Sequence, residues 1–329
     1  MNPILSVQGL RAYYRVDAFG VQREIRAVDD VTLEVRRNEI YGIAGESSSG
    51  KSSLVKTLAR AIRPPLTVVG GNVHYDFGDG ARDLYAMSDA EVAAMRWSRL
   101  SYIMQGSMSV LNPVRRIGRS FDDFARPHMP GSRTGFRDRV AAHLDHLHLP
   151  SSVLDAYPHE LSGGMRQRVT IALATVCRPR FIIADEPTTA LDVIVQKDVL
   201  AMLRRVQQEM ASSMLFVTHD MAVHAHLSDR LGIVYAGRLV EEGATQELFR
   251  RPLHPYTAHL IASLPRIGDA SVKHGLAGRP PSLANPPPGC RFHPRCPIAM
   301  PICRETVPAL EELAPGHRVA CHAAAREAA

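Results

Sequence analysis

The chain has 329 residues, of which 45% are hydrophobic and 22% charged, as expected of a soluble globular protein with about two domains. Its formal net charge of +6 is the excess of 39 Lys and Arg over 33 Asp and Glu. The charges are spread along the chain without a long block of one sign, which favours an ordinary solvated surface over a nucleic-acid-binding one.

The N-terminal stretch "MNPILSVQGL" has no basic segment followed by a long apolar run, so we expect no secretory signal. No uninterrupted apolar run approaches the ~18 residues that a membrane-spanning helix needs. We therefore expect a soluble, intracellular protein in a reducing compartment, where stable disulfides are unfavourable.

Aliphatic and β-branched runs in "ILSVQGL" and "VDDVTLEVRRNEIYGIAG" predict strands at the start of the chain. The second run ends at Gly45 and leads into "ESSSGKSSLVKTLARAI", whose later part has helical apolar spacing. Strand, Gly/Ser-rich loop and helix therefore follow one another, which is the context that a phosphate-binding loop requires.

The loop "GESSSGKS" at residues 45–52 fits the pattern G-x-x-x-x-G-K-[ST]. We expect its backbone N–H groups to surround phosphate oxygens, Lys51 to reach the β and γ phosphates, and Ser52 to ligate magnesium. The alternative, a chance Ser/Gly-rich linker, is disfavoured by the flanking strand and helix. The predicted nucleotide-binding residues here are Gly45, Glu46, Ser47, Ser48, Ser49, Gly50, Lys51, Ser52 and Ser53.

The middle of the chain, from about Asp89 to Ala156, has mostly helical patterning, interrupted by the turn-like "SVLNPV". A helix from "GGMRQRVTIALATV", a buried strand "FIIAD", a helix "VIVQKDVLAMLRRVQQEM" and a strand "SMLFVTHD" follow. "RLGIVYAGRLVEEG" predicts a hairpin that turns at Ala236 and Gly237. Alternating strands and helices predict a mainly parallel sheet covered on both faces, followed from about Arg251 by a loop-rich appendage.

The segment "FIIADEP" at residues 181–187 supplies a second candidate site. The buried strand presents Asp185 to a magnesium ion, and the neighbouring Glu186 can orient and deprotonate a water molecule for attack on the γ phosphate. An exposed acidic turn is the alternative for such a pair taken alone. Together with the phosphate loop, the pair indicates a nucleotide hydrolase.

A second predicted anion site lies in "LSGGMRQR" at residues 161–168, where Ser162, Gly163 and Gly164 open a helix. At this motif the sequence resembles the ATP-binding subunits of ABC transporters, whose signature is "LSGG". In that family the signature of one subunit closes over ATP held by the phosphate loop of another, in a head-to-tail dimer. The resemblance implies that this chain pairs with a second ATPase subunit, either a homologous one, as is common in related importers, or a second copy of itself.

The resemblance assigns roles to four further residues. Tyr14 matches the aromatic residue that stacks on adenine, with Tyr13 as the neighbouring candidate. Gln105 matches the glutamine that touches magnesium or the attacking water. Asp192, which ends "TALD", matches the loop that contacts the opposite subunit, and His219 matches the histidine that contacts the γ phosphate. The alternatives are a packing role for Tyr14 and a structural role for His219.

Two segments, "SVLNPV" and "ELFRRPLHPYTAHLIASLP", narrow the resemblance to the oligopeptide and dipeptide importer branch. It implies an α/β fold: a P-loop ABC-type ATPase with a RecA-like core, an antiparallel N-terminal sheet and a helical subdomain. We expect a nucleotide-binding domain at 1–250, with the helical subdomain inserted at about 89–160, and an extension at 251–329. The implied partners are two transmembrane permease subunits and an extracytoplasmic solute-binding protein, with this chain peripheral on the cytoplasmic membrane face. The implied solutes are peptides, nickel complexes or oligosaccharides.

The sequence departs from the family pattern at two places. Ser48 stands where the family usually has glycine, the residue best suited to unusual backbone angles. "GSMSVLNP" also lacks the acidic residue common soon after the glutamine. A catalytically weak regulatory cassette is therefore one alternative function. A soluble ABC ATPase of translation or DNA repair is another, disfavoured because the chain has one cassette and no inserted coiled coil or closely spaced cysteines between its motifs.

Four of the five cysteines, Cys290, Cys296, Cys303 and Cys321, lie in the tail with five, six and seventeen residues between them. Structural zinc sites commonly use pairs about two to four residues apart, which this tail lacks. Four thiolates from a loop-rich segment better suit an iron–sulfur cluster. Some relatives in the peptide-importer branch carry a 4Fe-4S cluster there, so the resemblance also implies one. Zinc and unliganded thiols remain open as alternatives.

Overall fold

The computed structural model describes residues 2–18, 21–106, 110–189, 191–264 and 275–328. Ser109 of "SVLNPV" and Ala190 of "TALD" lie outside these residues. Within the described ranges, none of the helices combines the length and apolar character that crossing a bilayer demands.

Strands and helices follow one another along the whole described chain. The strands are β1 (Leu5–Ala18), β2 (Val21–Val35), β3 (Ile40–Ala44), β4 (Leu66–Asp76), β5 (Ala81–Asp83), β6 (Leu100–Ile103), β7 (Phe181–Asp185), β8 (Ser213–Val217), β9 (Arg230–Tyr235), β10 (Arg238–Ala244), β11 (Glu311–Ala314) and β12 (His317–Val319). The α-helices are α1 (Lys51–Leu58), α2 (Asp89–Met95), α3 (Ile117–Phe124), α4 (Arg133–His146), α5 (Gly163–Thr175), α6 (Val193–Met210), α7 (Met221–Leu227), α8 (Thr245–Arg250), α9 (Pro255–Ala262) and α10 (His322–Ala328). Single 3₁₀ turns lie at Arg126–His128, Ser151–Asp155, Pro158–Glu160, His293–Arg295 and Pro301–Arg304.

The chain divides into two compact units. The phosphate-loop unit comprises Leu5–Val35, Glu39–His74 and Val217–Ala329. The signature unit comprises Met1–Ile4, Arg36–Asn38 and Tyr75–Phe216.

The phosphate-loop unit contains an antiparallel pair, β1 and β2, and a set of strands in the order β11-β12-β10-β9-β3. All five residues of β3 are buried, and the strand runs parallel to β9. Such a strand is apolar on both faces because it lies in the centre of a covered sheet. The parallel core and the antiparallel N-terminal pair predicted from the sequence are both present.

The predicted hairpin in this unit is confirmed, because β9 and β10 pair antiparallel with Tyr235 opposite Arg238. Its two turn residues, Ala236 and Gly237, have φ angles of 47° and 82°. Two successive left-handed residues form the tight turn whose twist matches that of the strands. The tail adds to the same sheet, since β12 pairs antiparallel with β10. The extension is therefore less irregular than its Pro and Gly content suggested.

The signature unit contains strands in the order β8-β7-β6, with β6 parallel to β7, together with helices α2 to α6. The region predicted to be mostly helical also contributes β6, whose four residues "LSYI" pair with the apolar β7. Polar side chains cap the N-termini of four of these helices, at Ser88, Ser132, Ser162 and Asp192. Such caps satisfy N–H groups that the first turn leaves unbonded.

Candidate nucleotide site

The phosphate loop joins β3 to α1 and follows a tightly constrained path. Gly50 precedes α1 with a φ of 104°, and a Cβ atom there would lie 2.0 Å from the carbonyl oxygen of Ala27. Only glycine fits this position. Ser48, the residue that departs from the family pattern, is exposed and has a φ of 63°. Its side chain costs about 1 kcal/mol in this left-handed conformation.

Lys51 lies inside the curve of the loop rather than in solvent. Lys51 is only 6% exposed. Its Nζ donates hydrogen bonds of 2.8 Å to the carbonyl oxygens of Gly45 and Glu46. Ser52 is half-buried and Ser53 buried on the first turn of α1. The loop therefore holds a fixed ammonium group beside the start of a helix, an arrangement that attracts anionic phosphate.

The structure distinguishes the two tyrosines proposed for adenine. The hydroxyl of Tyr14 lies 3.0 Å from Oγ of Ser53, on the helix that follows the phosphate loop. Tyr13 instead donates a hydrogen bond to Asp29, and burial together with that bond raises its pKa to about 12. Of the two tyrosines, Tyr14 is thus the one that lies beside the phosphate loop.

In the signature unit, Asp185 and Glu186 stand at the end of β7. Asp185 is buried, and Oδ2 accepts a hydrogen bond of 3.3 Å from Tyr102. Burial, followed by the charge of Asp185, raises the pKa of Tyr102 well above its usual value. Glu186 is half-buried and has a φ of 48°, a left-handed conformation that is rare outside glycine and concentrates at functional sites.

Gln105 and Glu186, which sequence reasoning named separately, are in direct contact. Nε2 of Gln105 donates to Oε2 of Glu186 at 3.0 Å. Oγ1 of Thr189 donates to the same oxygen, also at 3.0 Å. Thr189 and Tyr102 were not predicted, because "TALD" was used to assign a role only to its last residue, Asp192, and Tyr102 belongs to no short motif. The Glu186 carboxylate is thus held by two neutral donors, which fix its orientation without adding charge.

The signature motif opens α5 as expected. Oγ of Ser162 accepts a hydrogen bond of 3.3 Å from the N–H of Met165. A Cβ atom on Gly163 would meet no atom within 4 Å, whereas one on Gly164 would lie 2.8 Å from a methyl group of Val195. Within the described chain there is therefore room for a side chain at 163, whereas one at 164 would force Val195 to shift.

Asp192 opens the neighbouring helix α6 and accepts a hydrogen bond of 2.9 Å from the N–H of Val195. The next two residues, Val193 and Ile194, are 80% and 77% exposed. Two large aliphatic side chains thus project into solvent directly after the residue that the family pattern assigns to subunit contact.

His219 follows β8 and is exposed, in the phosphate-loop unit. A second histidine, His224, lies in the next helix, where it is fully buried and hydrogen-bonded to Ser228 at 2.9 Å. Burial lowers the pKa of His224 to about 4, so this side chain is neutral at physiological pH. Of these two histidines, the exposed one is His219, which is also the one that the motif position predicts to contact the γ phosphate.

The phosphate loop also contacts the tail, which sequence reasoning missed. The N–H of Glu46 donates a hydrogen bond of 2.7 Å to the hydroxyl of Tyr256. The Glu46 carboxylate accepts two bonds from Arg295, of 2.8 and 3.0 Å. These partners lie 210 and 249 residues away in sequence. The only local signal is that aromatic and basic residues persist in "HPYTAHL" and "FHPRC".

The four tail cysteines converge within the phosphate-loop unit and form no disulfide. The pKa of Cys290 is raised to about 11, first by burial and further by the nearby thiols of Cys303, Cys321 and Cys296. Nevertheless, no set of three or more His, Cys, Asp or Glu side chains in the described ranges is arranged to hold a metal ion. The arrangement of these side chains therefore does not support the predicted 4Fe-4S cluster. Only their chemical type, four thiols, suits such a cluster.

Comparison with known proteins agrees with these features. The family described as "ABC transporter" matches residues 28–189, and "Oligopeptide/dipeptide transporter, C-terminal region" matches residues 240–303. A dipeptide transport ATP-binding protein of Caldanaerobacter subterraneus is 38% identical over 325 residues, covering 98% of this chain and 97% of that protein. A putative peptide import ATP-binding protein of Brucella abortus is 40% identical over 334 residues, with 97% of each chain covered.

Solved structures agree at the level of the fold. A dimeric bacterial ABC transporter cassette has a TM-score of 0.63 at 24% identity, and the match covers 73% of this chain and 98% of the cassette. A dimeric ATP-binding cassette bound to ADP and Pi has a TM-score of 0.62 at 23% identity, with the same coverage. Because the two relatives are 38% and 40% identical over nearly the whole chain and both family descriptions match, the chain belongs to the oligopeptide/dipeptide importer family of ABC transporter ATP-binding subunits.

Proposed function

We propose that this protein hydrolyses ATP to energise the import of peptides or related solutes across a membrane. The observation that carries the proposal is the phosphate loop, in which the buried Lys51 ammonium and the start of α1 form a ready site for nucleotide phosphates. Family membership supports peptides as the solute class, since relatives over the full length are named as peptide and dipeptide transport proteins.

Each predicted site residue has a proposed role in this reaction. Residues 45–53 bind the phosphates and Tyr14 stacks on adenine. Ser52, Gln105 and Asp185 are the proposed magnesium ligands. Bound Mg²⁺ supplies charge neutralisation for the β and γ phosphates. The exposed imidazole of His219 contacts the γ phosphate as a hydrogen-bond donor.

Glu186 is the proposed general base. Its carboxylate takes a proton from a water molecule as the water oxygen attacks the γ phosphorus, and the bond from that phosphorus to the bridging oxygen of ADP breaks. The products are ADP and phosphate. The hydrogen bonds from Gln105 and Thr189 hold the carboxylate in one orientation, which a base needs if it is to act on one water molecule.

The reaction requires a second subunit in this proposal. Gly163 has open space around its Cα, and Ser162, Gly163 and Gly164 offer the N–H groups of the start of α5 to the ATP of a partner. Asp192 and the exposed Val193 and Ile194 lie on a surface that subunit contact would cover. ATP binding closes this head-to-tail dimer and hydrolysis reopens it, which drives alternating access in the membrane subunits. A homologous but different ATPase subunit is the proposed partner.

The complete importer comprises this pair, two transmembrane permease subunits and an extracytoplasmic solute-binding protein, with the chain peripheral on the cytoplasmic face of the membrane. Co-assembly with candidate permeases and solute receptors tests this proposal. We expect one peptide-loaded receptor to stimulate ATP hydrolysis severalfold above the unloaded receptor. Equal ATP hydrolysis with and without permeases and receptors would favour a soluble ATPase instead, and absence of turnover a regulatory cassette.

We also propose that Cys290, Cys296, Cys303 and Cys321 bind a 4Fe-4S cluster. The support is the donor set: four cysteines that lie close together, since burial and, to a smaller degree, neighbouring thiols raise the pKa of Cys290, Cys296 and Cys321. Anaerobic purification with iron, sulfide and zinc analysis is the test. A colourless, iron-free protein that is folded and active would overturn the proposal.

A further inference from the structure

A carboxylate lies within the loop that must bind the most anionic part of ATP. Glu46 is the second residue of the phosphate loop, and its side chain is 25% exposed. Its negative charge would repel nucleotide phosphates, and such repulsion is strong near a partly buried site, where solvent screens charge poorly. A loop with this residue needs a compensating cation.

That cation comes from the tail. The side chain of Arg295 is 5% exposed, and its guanidinium binds both oxygens of the Glu46 carboxylate. Two parallel N–H···O bonds fix direction as well as charge, which a lysine cannot reproduce. Arg295 is itself held by a hydrogen bond of 3.1 Å to the carbonyl oxygen of Ala277 and lies over the ring of Tyr235.

Three aromatic rings give this contact a rigid base. Tyr235, Tyr256 and Phe292 pack with ring centroids 4.6 to 5.6 Å apart. Tyr256 and Phe292 are fully buried, and the hydroxyl of Tyr256 accepts the N–H of Glu46. Both the backbone and the carboxylate of Glu46 are therefore held by residues beyond position 250.

A second tail arginine supports the loop from the opposite end. Arg291 is buried and donates hydrogen bonds to the carbonyl oxygen of Ala236 and to Asp29. The next residue of that hairpin turn, Gly237, donates its N–H to the carbonyl oxygen of Ser49 at 2.7 Å. The tail thus reaches the phosphate loop at two places, directly at Glu46 and through the hairpin turn at Ser49.

We infer that Arg295 is a positioning residue of the phosphate loop, which neutralises and orients Glu46 so that the loop accepts nucleotide phosphates. The tail is thereby part of the nucleotide-binding machinery and not only an appendage. This inference rests on the proposed function, because it concerns the binding of ATP to the same loop.

Equilibrium titration of the full-length chain with Mg-ATP by calorimetry tests the inference. Arg295→Gln leaves the Glu46 charge uncompensated and should weaken binding about tenfold. Arg295→Lys keeps the charge but loses the two parallel guanidinium hydrogen bonds, and should weaken Mg-ATP binding about threefold. The matched control is Arg304→Gln, because Arg304 is an exposed tail arginine next to Cys303, just as Arg295 is next to Cys296. This control should bind like the wild type.

The decisive variant is the double substitution Glu46→Gln/Arg295→Gln. If Arg295 acts by neutralising Glu46, removal of both charges should restore affinity to within about threefold of the wild type. The defect of the single Arg295→Gln variant should also shrink as ionic strength rises, since salt screens the repulsion. A tail that merely supports folding would give neither rescue nor salt dependence.

Thermal unfolding without nucleotide identifies variants that lose their fold. If Arg295→Gln is one of them, Arg295→Lys is compared with the wild type instead. Wild-type affinity in both Arg295 variants, or a double variant that binds no better than Arg295→Gln, would overturn the inference while leaving the proposed function intact. A wild-type chain that binds no Mg-ATP would overturn the proposed function itself, and this inference with it.

Discussion

In the part of the chain that the structure describes, two glycine-bearing helix starts are suited to anions, and they are built in opposite ways. At the phosphate loop, Gly50 has no room for a Cβ atom and Lys51 is bonded to loop carbonyls. At the signature, a Cβ atom on Gly163 would meet nothing within 4 Å, and the capping residue Ser162 is exposed. The first site is held in shape by its own chain, whereas the second has open space around it.

This difference indicates what each glycine is for. Gly50 is required by the fold of its own loop, since the neighbouring carbonyl oxygen of Ala27 excludes any side chain. Nothing in the described part of the chain excludes a side chain at Gly163. The glycine there instead allows another molecule to approach the start of α5 closely. The contrast agrees with a phosphate loop that binds its own ATP and a signature that meets the ATP of a partner.

The largest effect that separates the two sites is expected from Gly50→Ala. The added methyl group clashes with the Ala27 carbonyl and forces the start of α1 to move, so affinity for Mg-ATP should fall about 100-fold. Gly163→Ala is the matched control and should leave equilibrium binding unchanged in the isolated chain. Equal losses of affinity in the two variants would contradict the contrast between the sites.

A charged side chain at the signature should separate binding from turnover. Gly163→Glu places a carboxylate where the ATP phosphates of a partner would lie, so the ATPase rate of the assembled importer should fall about 30-fold. Affinity of the isolated chain for Mg-ATP should stay within about twofold of the wild type. Steady-state phosphate release and calorimetry measure the two quantities, and an assembled importer with undiminished turnover would show that the signature does not meet a partner's ATP.

The phosphate-loop unit should also be sensitive to acid, because burial lowers the pKa of His224 and His254 to about 4. Both are neutral in the folded protein, while the unfolded chain binds protons below its ordinary histidine pKa of about 6.5. The free energy of unfolding should therefore fall as pH drops from about 6.5 towards 4, by about 2 kcal/mol per histidine at pH 5.

His254→Asn tests this expectation, since Asn can still accept the N–H of Tyr256 that His254 caps through Nδ1. Urea unfolding at pH 7.5 and pH 5.0 should show a smaller loss of stability in the variant than in the wild type, by about 2 kcal/mol. The same loss in both proteins would show that His254 does not contribute to acid sensitivity.

The smallest effect is expected from Ser48→Gly. Glycine relieves the left-handed strain at a φ of 63°, but it also gives the unfolded loop more conformational freedom, and the two terms largely offset each other. Affinity for Mg-ATP should stay within about threefold of the wild type. Complete loss of binding in an equilibrium titration would mean that the Ser48 side chain has a specific role in the loop.

The sequence predicted those parts of the site that short motifs and local patterns encode. The strand–loop–helix path around Lys51, the hairpin at Ala236 and the helix start at Gly163 all follow from nearby residues. The contact between Gln105 and Glu186 could be expected only from the family resemblance, because 81 residues separate them.

The contacts between the tail and the phosphate loop were not predictable in this way. Arg295 and Tyr256 meet Glu46 across more than 200 residues, and nothing in the local pattern of either segment specifies the pairing. The Pro and Gly content of the tail predicted irregular structure, yet aromatic packing, the buried Arg291 and the largely enclosed side chain of Arg295 give it a fixed position against the loop. The domain boundary at residue 250 and the roles of the individual site residues remain predictions.

The ATPase rate of the assembled importer with Glu186→Gln tests the central claim most directly. Gln keeps the size of Glu186 and one oxygen that can accept from Gln105 and Thr189, but it cannot take a proton from water. Steady-state hydrolysis in the presence of peptide-loaded receptor should fall at least about 100-fold, with ATP retained in a closed dimer. A rate near that of the wild type would contradict the assignment of Glu186 as the base of an ATP-hydrolysing importer subunit.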